Sequence, residues 1–172
     1  LRVLVQHDTP RALEMLDHLN AYLRATLSAS RSTQHPLRAE FDRLRDYLAL
    51  MAIRMGPRLA YSLDLPDDLA DHPVPTLLLQ PLVENSITHG LEPQVAGGHI
   101  SVQARRVGGR LVLRVSDNGA GLQTHATPHS SGFGLTQVRE RLATAYGADG
   151  ALELIATPGG ETAACITFPL QK

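Results

Sequence analysis

The sequence predicts a two-layer α/β sandwich preceded by an N-terminal helical hairpin. Three observations lead to this prediction. Leucines recur at helical spacing through residues 1–56, three later stretches alternate apolar and polar residues, and a helix with one apolar face lies among those stretches. Alternation indicates strands with one buried face, so helices are expected to cover one side of a mixed sheet. We expect a helical stalk segment at residues 1–56 and a second domain at residues 57–172.

The chain has 172 residues, a length that suits one domain with a helical appendage. Its 16 Lys and Arg and 17 Asp and Glu give a net charge of -1, so we expect no binding to nucleic acid or to an anionic membrane. One cysteine excludes an internal disulfide framework. Because no apolar run approaches the ~20 residues that span a bilayer, we expect a cytoplasmic domain.

Two amphipathic helices are predicted first. Thr9 and Pro10 are suited to cap and start the first of them. The second helix carries an apolar seam whose members recur at the alternating spacing of coiled coils. These members are Leu37, Phe41, Leu44, Leu48, Met51 and Met55. The seam has two interpretations: a hairpin packed on its own domain, or a dimerising stalk.

Strands are predicted after the break at Gly56 and Pro57, where the apolar period changes to two. Gly108 and Gly109 suit the tight turn of a hairpin. Strands are expected at residues 59–65, 100–104, 111–115, 152–155 and 162–168, with a further helix at residues 135–146. The glycine-rich and polar stretch between the hairpin and this helix is expected to be a flexible loop.

Residues 77–90, LLLQPLVENSITHG, are expected to form a helix that Pro75 opens after a loop at residues 66–75. Successive positions on a helix turn by about 100°, which separates this run into two faces. The first face carries Leu79, Leu82, Val83, Ser86 and Ile87. The opposite face carries Glu84, Asn85, Thr88 and His89. The helix is therefore expected to present a carboxylate, an amide and an imidazole away from the core.

Two motifs suit the base and the metal of a bound nucleotide. The side-chain oxygen of Asn85 is a hard, neutral ligand for Mg²⁺, and Glu84 can polarise an attacking group or hold a metal-bound water. Asp117 follows a predicted strand and can accept a hydrogen bond from an exocyclic amino group such as that of adenine. Gly119 and Gly121 would let the base approach the backbone.

A third motif, Gly132 and Gly134 before a helix, would direct unpaired N–H groups and the positive helix end toward phosphate. Each motif also has a purely structural explanation. DNG is a turn tripeptide, and a GxG before a helix often only makes a connection. His89 can interact with the helix dipole, and Glu84 can be a solvated surface charge.

Taken together, these motifs resemble a known family. LLLQPLVENSITHG resembles the N box of LytS-like sensor histidine kinases, DNGAG resembles their G1 box, and GFGL resembles their G2 box. GLTQVRERL resembles the helix that follows, and the likeness extends over about residues 13–169. The resemblance implies the Bergerat ATP-binding fold, an α/β sandwich shared with gyrase, the MutL repair proteins and the ninety-kilodalton heat-shock chaperone.

The resemblance also implies a set of site residues. The catalytic residues would be Glu84, Asn85 and His89, with Asn85 as the metal ligand. The nucleotide would be bound by Asp117, Gly119, Gly121, Gly132, Gly134, Leu135 and Thr162. Two positions depart from the family pattern, because Glu161 stands where a glycine is usual and Gln137 stands where an asparagine is usual.

The function implied by the resemblance is that of a two-component sensor histidine kinase. The full protein would bind ATP and Mg²⁺ and transfer the γ-phosphoryl to a histidine, from which a response regulator takes it. We expect a homodimer in the full-length protein and a cytoplasmic domain attached to a membrane-anchored sensor.

None of the eight histidines lies in the P-H-F-L-F-N motif of the phosphoacceptor. His7, His18 and His35 are poor candidates for that role, so the acceptor is expected before Leu1, and the isolated fragment is not expected to phosphorylate itself. Two other readings stay open: a nucleotide-sensing dimerisation module without transfer activity, and a related ATPase or serine kinase.

Overall fold

The structure is a computed structural model, which describes residues 8–29, 33–121, 132–156 and 160–170. The helices are α1 Thr9–Ala29, α2 Leu37–Met55, α3 Asp67–Ala70, α4 Gln80–Asn85 and α5 Gly132–Tyr146, and a π-helical turn spans Ser86–Leu91. The strands are β1 Gln34–Pro36, β2 Leu59–Asp64, β3 Pro73–Pro75, β4 Gly98–Val107, β5 Arg110–Asp117, β6 Ala151–Ala156 and β7 Thr162–Pro169.

The main sheet has five strands in the order β2-β4-β5-β7-β6. Only the β2–β4 pair among these is parallel, and β1 and β3 form a separate antiparallel ribbon. Gly108 and Gly109 have φ angles of 54° and 77°, which suit the turn predicted between β4 and β5. The alternate residues of the inner strands are buried against the helices. The predicted mixed sheet and two-layer sandwich are confirmed.

Helix α2 packs on the sheet of its own chain. All six seam residues are 9% exposed or less, and they belong to the same hydrophobic cluster as the inner face of the sheet. This is the packing that the first interpretation predicts, a hairpin on its own domain, and it leaves the seam buried rather than open to a second copy. The boundary at residues 56 and 57 stays a prediction.

Helix α1 packs on α2, where Met15 and Leu19 lie partly buried against the core. Leu13 and Leu23 point away from it and are 57% and 47% exposed. His18 Nδ1 lies 3.5 Å from Asp46 Oδ1 and links the two helices. Within the described ranges, no helix is long and apolar enough to span a bilayer.

Three predicted elements differ from the structure. Residues 66–75 include α3 and β3 rather than a continuous loop. Pro75 ends β3 and does not open the following helix, because Leu77 has a φ of +60° that no right-handed helix accepts. The helix begins instead at Gln80, with Pro81 in its first turn.

Helix α5 begins at Gly132, so Gly132 and Gly134 lie in its first turn rather than before it. Residues 122–131, which contain most of the predicted flexible loop, lie outside the described residues.

Truncation at the two ends of α2 tests how much of the core this helix supplies. Residues 33–172 should unfold cooperatively in urea with a lowered midpoint, whereas residues 59–172 should show no cooperative transition. Removal of each buried apolar side chain costs about 2–5 kcal/mol, so the loss of all six reaches or exceeds a typical stability of about 5–15 kcal/mol. Near-ultraviolet circular dichroism as a function of urea concentration measures the unfolding transition of each fragment. Cooperative unfolding of residues 59–172 would instead support the predicted domain boundary.

Candidate functional site

Helix α4 and the π-helical turn after it bury one face and expose the other. The residues predicted for the core side, Leu79, Leu82, Val83, Ser86 and Ile87, are all buried. On the polar side Glu84 and Asn85 are half-buried, and Thr88 and His89 are exposed. The predicted separation of the two faces is confirmed, although the last turn is π-helical, a form that is frequent at functional sites.

The carboxylate of Glu84 is held by its neighbours. Gln80 Nε2 donates a hydrogen bond to Glu84 Oε1 at 2.8 Å, one helical turn away. Tyr47 of α2 lies close enough for the charge to act on it. Burial and the negative charges of Glu84 and Glu92 raise the pKa of Tyr47 to about 12. Gln80 of the same helix therefore orients Glu84, and Tyr47 of α2 lies near its carboxylate.

Asn85 stands beside Glu84, and both side chains are half-buried. Their oxygen atoms form the kind of donor set that Mg²⁺ prefers, because this ion binds one or two protein oxygens and keeps waters or phosphate oxygens as its other ligands. The residues present therefore fit the predicted metal. His89 lies one turn further along, where its exposed imidazole can reach a ligand outside the helix.

Asp117 ends β5 and is only 4% exposed. Its Oδ1 accepts a hydrogen bond from the Gly119 amide at 3.1 Å, and the Ser86 side chain also hydrogen-bonds to it. Burial raises the pKa of Asp117 above its usual value, although the Ser86 and Gly119 hydrogen bonds oppose the rise. A further hydrogen-bond donor would therefore stabilise this buried carboxylate in its ionised form.

Thr162 begins β7 directly opposite Asp117 in the antiparallel register. Its hydroxyl is buried and finds no hydrogen-bond partner among the residues that the structure describes. A buried hydroxyl without a partner is costly, so this position favours a polar ligand group beside the carboxylate. Thr162, which the resemblance implies as a nucleotide-binding residue, therefore lies beside Asp117 at this end of the sheet. Next to it, Glu161 lies 3.7 Å from Arg114, so it forms an ion pair at the place of the usual glycine.

Two glycines bring the ends of the first two motifs into backbone contact. A Cβ at Gly90 would lie 2.5 Å from Asp117 Oδ1, and a Cβ at Gly119 would lie 2.1 Å from the Gly90 oxygen. The Ala120 amide donates a hydrogen bond to that same oxygen at 2.9 Å. A side chain at Gly90 would require the Asp117 carboxylate to move, and a side chain at Gly119 would require a shift of backbone. Gly121, with a φ of +76°, continues the turn.

The first turn of α5 packs beside α4. A Cβ at Gly134 would lie 3.3 Å from Pro81 Cβ, and Leu135 is partly buried against the core. The structure therefore brings the G2-box residues next to the start of the helix that carries Glu84. Gly132 lies at the first residue of this helix, where backbone N–H groups lack partners within the helix.

The turn before α4 is held from two sides. Leu77 has a left-handed backbone conformation, which costs a non-glycine residue about 1–2 kcal/mol. Its amide donates to Glu40 Oε1 at 2.8 Å, and its carbonyl accepts from Arg141 Nη1 at 2.6 Å. The Leu79 amide donates to Glu40 Oε2 at 2.9 Å. These hydrogen bonds fix where α4 begins.

Glu40 is buried on α2, with 1% of its surface exposed. Burial alone would raise the pKa of its carboxyl. Hydrogen bonds from His35 and the Leu79 amide, together with the electrostatic attraction of His35 and Arg43, outweigh burial and hold the pKa of Glu40 below its usual value. Glu40 therefore stays an anion inside the core.

Sequence reasoning missed Glu40, Ser86 and Arg141 as residues that support the site. For Glu40 a signal existed, because it is three residues after Leu37 and four before Leu44 and so falls on the buried seam. A charged residue at a buried position requires partners. Ser86 gave a weaker signal of the same kind, as a polar residue on the predicted core face, whereas no signal marked Arg141, whose partner is 64 residues away.

Two family models match the chain. The model described as histidine kinase-, DNA gyrase B-, and HSP90-like ATPase matches residues 70–172, and the model described as histidine kinase matches residues 1–59. The family resemblance of the three boxes is thereby confirmed.

Curated relatives include sensor kinases from several bacteria. The chain is 29% identical over 169 residues to the sensor histidine kinase BtsS of Escherichia coli strain K12, covering 98% of the chain and 30% of that protein. It is 30% identical over 161 residues to the sensor histidine kinase YesM of Bacillus subtilis strain 168, covering 92% of the chain and 28% of that protein. The chain thus spans less than a third of these relatives.

Solved structures share the fold at low identity. The histidine kinase domain of the blue-light activated histidine kinase EL346 from Erythrobacter litoralis superposes with a TM-score of 0.64 at 18% identity, over 90% of this chain and 80% of that one. The catalytic domain of the histidine kinase ThkA gives a TM-score of 0.61 at 15% identity, over 80% of this chain and 95% of that one. Both comparisons show the same α/β sandwich.

Substitution of Gly90 by Ala should destabilise the protein by about 1–3 kcal/mol, because the added methyl group overlaps the Asp117 carboxylate. Urea denaturation measures the loss. The matched control is a double-mutant cycle with Asp117→Ala, which removes the overlapping atoms. The cost of Gly90→Ala should fall by at least half in that background, and an equal cost in both backgrounds would show that another contact is responsible.

The free energy of unfolding of Asp117→Asn, relative to that of the wild type, should increase as pH rises. The folded pKa of Asp117 is raised, so the unfolded chain ionises first and the wild type loses stability as pH rises from the unfolded to the folded pKa. Asparagine does not ionise, so the variant does not lose stability in this way. The difference in free energy of unfolding, variant minus wild type, should therefore increase between about pH 4 and about pH 7.

Thermal denaturation of the two proteins across this pH range measures that difference. Asp149→Asn is the matched control, since it removes a carboxylate that is exposed. A difference for Asp117→Asn that stays constant with pH, or that decreases, would contradict the raised pKa.

Proposed function

The chain belongs to the histidine kinase-, DNA gyrase B- and HSP90-like ATPase family, as a sensor histidine kinase catalytic domain, and we propose that it binds Mg-ATP for transfer of the γ-phosphoryl to a histidine. The acceptor histidine lies outside residues 1–172 in this proposal. A response regulator then takes the phosphoryl group, and the full-length protein is a homodimer whose catalytic part is the cytoplasmic domain of a membrane-anchored sensor.

The observation that carries the proposal is the buried carboxylate of Asp117 beside the buried hydroxyl of Thr162. A buried carboxylate can discriminate for a ligand that donates a hydrogen bond, which the exocyclic amino group of adenine does. Ser86 and Gly119 already hold the carboxylate in place, so its remaining acceptor capacity has a fixed direction. Guanine presents an oxygen at the corresponding position and would leave the carboxylate opposed by an acceptor.

The polar face of α4 is the proposed phosphate end of the site. Asn85 would bind the metal through its amide oxygen, and Mg²⁺, when bound, would neutralise negative charge on the phosphates. His89 would contact the phosphates from the next turn. The first turn of α5, with Gly132 and Gly134, would direct its unpaired N–H groups toward them.

Glu84 has the clearest chemical role in the proposed transfer. Gln80 orients it through the hydrogen bond of 2.8 Å to Oε1, and in the proposed transfer the carboxylate would accept the proton of an attacking imidazole or hold a metal-bound water. Most of the rate enhancement in phosphoryl transfer comes from placement and charge stabilisation, so the orientation of this carboxylate matters more than its basicity.

The described histidines of the helical segment support an acceptor elsewhere. His18 lies 3.5 Å from Asp46 between α1 and α2, and His35 Nε2 lies 2.7 Å from Glu40 Oε1. His35 is engaged with a buried carboxylate and is poorly placed to leave it for a phosphoryl group. The proposed acceptor therefore stays outside residues 1–172, and the fragment alone would bind ATP without phosphorylating itself.

Calorimetric titration of residues 1–172 should show saturable binding of Mg-ATP and little binding of Mg-GTP. Asp117→Asn should weaken ATP binding about 10- to 100-fold, because a hydrogen bond to a charged group contributes about 1.5–3 kcal/mol. Asn85→Ala should weaken binding only when Mg²⁺ is present. Circular dichroism of each variant checks that the fold is retained.

Equal affinity for ATP and GTP would overturn the proposed role of Asp117 while leaving a nucleotide site. Absence of ATP binding at millimolar concentration in a folded wild-type sample would overturn the proposed activity. In that case the three boxes would serve only as a scaffold, and a dimerisation module without nucleotide binding would replace the proposed activity.

A further inference from the structure

Helix α2 lies outside the segment that matches the ATPase family model, yet it contacts that segment at both ends of α4 and its π-helical turn. Near the beginning, Glu40 accepts the amides of Leu77 and Leu79. Near the end, Arg54 Nη1 lies 2.9 Å from Glu92 Oε1. The first contact is buried and the second is exposed on the arginine side, so the two differ in how strongly they constrain the helix.

Glu40 has four donors around one carboxylate. Besides the two amides, Arg43 Nη1 donates at 2.9 Å and His35 Nε2 lies at 2.7 Å, both toward Oε1. They come from the β1 strand, from α2 itself and from the turn before α4. A buried anion that is satisfied by three different elements holds those elements in one arrangement, because any displacement leaves charge unpaired.

Leu77 shows that this carboxylate acts on backbone geometry. Its φ of +60° is unfavourable for leucine, so the surrounding contacts must impose it. Glu40 binds its amide and Arg141 binds its carbonyl, from helices on either side of the turn. Gln80, which orients Glu84, begins α4 only three residues later.

We propose that Glu40 is a positioning residue for the phosphate end of the nucleotide site. It imposes the left-handed turn at Leu77, and this turn sets the start of α4 and hence the placement of Glu84 and Asn85. The inference rests on the proposed function, since it assigns a role within the same site. Glu40 does not touch the nucleotide. Its effect reaches the phosphates through the helix and leaves the Asp117 end unchanged.

The test compares Glu40→Gln with the wild type. Glutamine keeps the shape of the side chain. It replaces one carboxylate oxygen with an NH₂ group, which would then oppose a backbone N–H of the turn. Affinity for Mg-ATP should fall about 10- to 100-fold, the range found when partners that orient metal ligands are changed. Affinity for adenosine, measured by nuclear magnetic resonance titration, should stay within about twofold, because adenosine would be bound at the Asp117 and Thr162 end of the site and Glu40 hydrogen-bonds only at the turn before α4. Asp42→Asn is the matched control, an exposed carboxylate two residues along the same helix.

A second variant tests the turn itself. Leu77→Gly can adopt the left-handed conformation without strain, so it should reduce the dependence on Glu40. In the Leu77→Gly background, Glu40→Gln should lower Mg-ATP affinity by a smaller factor than in the wild type. If Glu40→Gln does not fold, Arg141→Met replaces it, because this change removes the other hydrogen bond to Leu77 and should cause the same selective loss.

Equal losses of Mg-ATP and adenosine affinity would overturn the inference, and so would a lowered melting temperature with both affinities unchanged. Either result would make Glu40 a purely structural residue while the proposed function stands, provided that Asp117→Asn still weakens ATP binding. A wild-type protein that binds neither ligand overturns both the inference and the proposed function.

Discussion

The buried carboxylate of Glu40 is the interaction on which the arrangement of the site depends. An ionised carboxylate loses several kcal/mol of hydration when it enters a protein core, and only good hydrogen-bond geometry offsets that loss. Here the donors are His35, Arg43 and the amides of Leu77 and Leu79. Because these groups belong to separate elements, the ribbon of β1 and β3, the long helix and the turn before α4 are held as one unit.

The other end of the same helical segment is held by a different kind of constraint. Gly90 and Gly119 touch through their backbones, and the Asp117 carboxylate occupies the space that a side chain at Gly90 would need. This contact is possible because Gly90 and Gly119 have no side chains, and it does not depend on an ion pair. Because Asp117 lies at the end of β5, the contact ties the π-helical turn to the sheet. The adenine end of the proposed site is therefore sterically fixed.

The sequence predicted the elements whose geometry is local. Helical periodicity separates Leu82 and Val83 from Glu84 and Asn85 by rotation alone, and the structure keeps that separation. The start of the helix could not be predicted. It depends on the conformation of Leu77, which is imposed by hydrogen bonds from residues 37 positions before it and 64 positions after it. Local preference favoured Pro75 as the first helical residue, and long-range contacts decided otherwise.

The two constraints divide the site into a fixed part and an adjustable part. Asp117 is held by glycine contacts within residues 86–120, all inside the segment that matches the ATPase model. Glu84 and Asn85 depend also on Glu40, which lies in the segment matched by the histidine kinase model. A displacement of the helical hairpin would change the hydrogen bonds at Leu77 before it changed any contact of Asp117. Under the proposed function, a displacement of α2 would therefore change the placement of Glu84 and Asn85 at the phosphate end while the adenine end keeps its geometry.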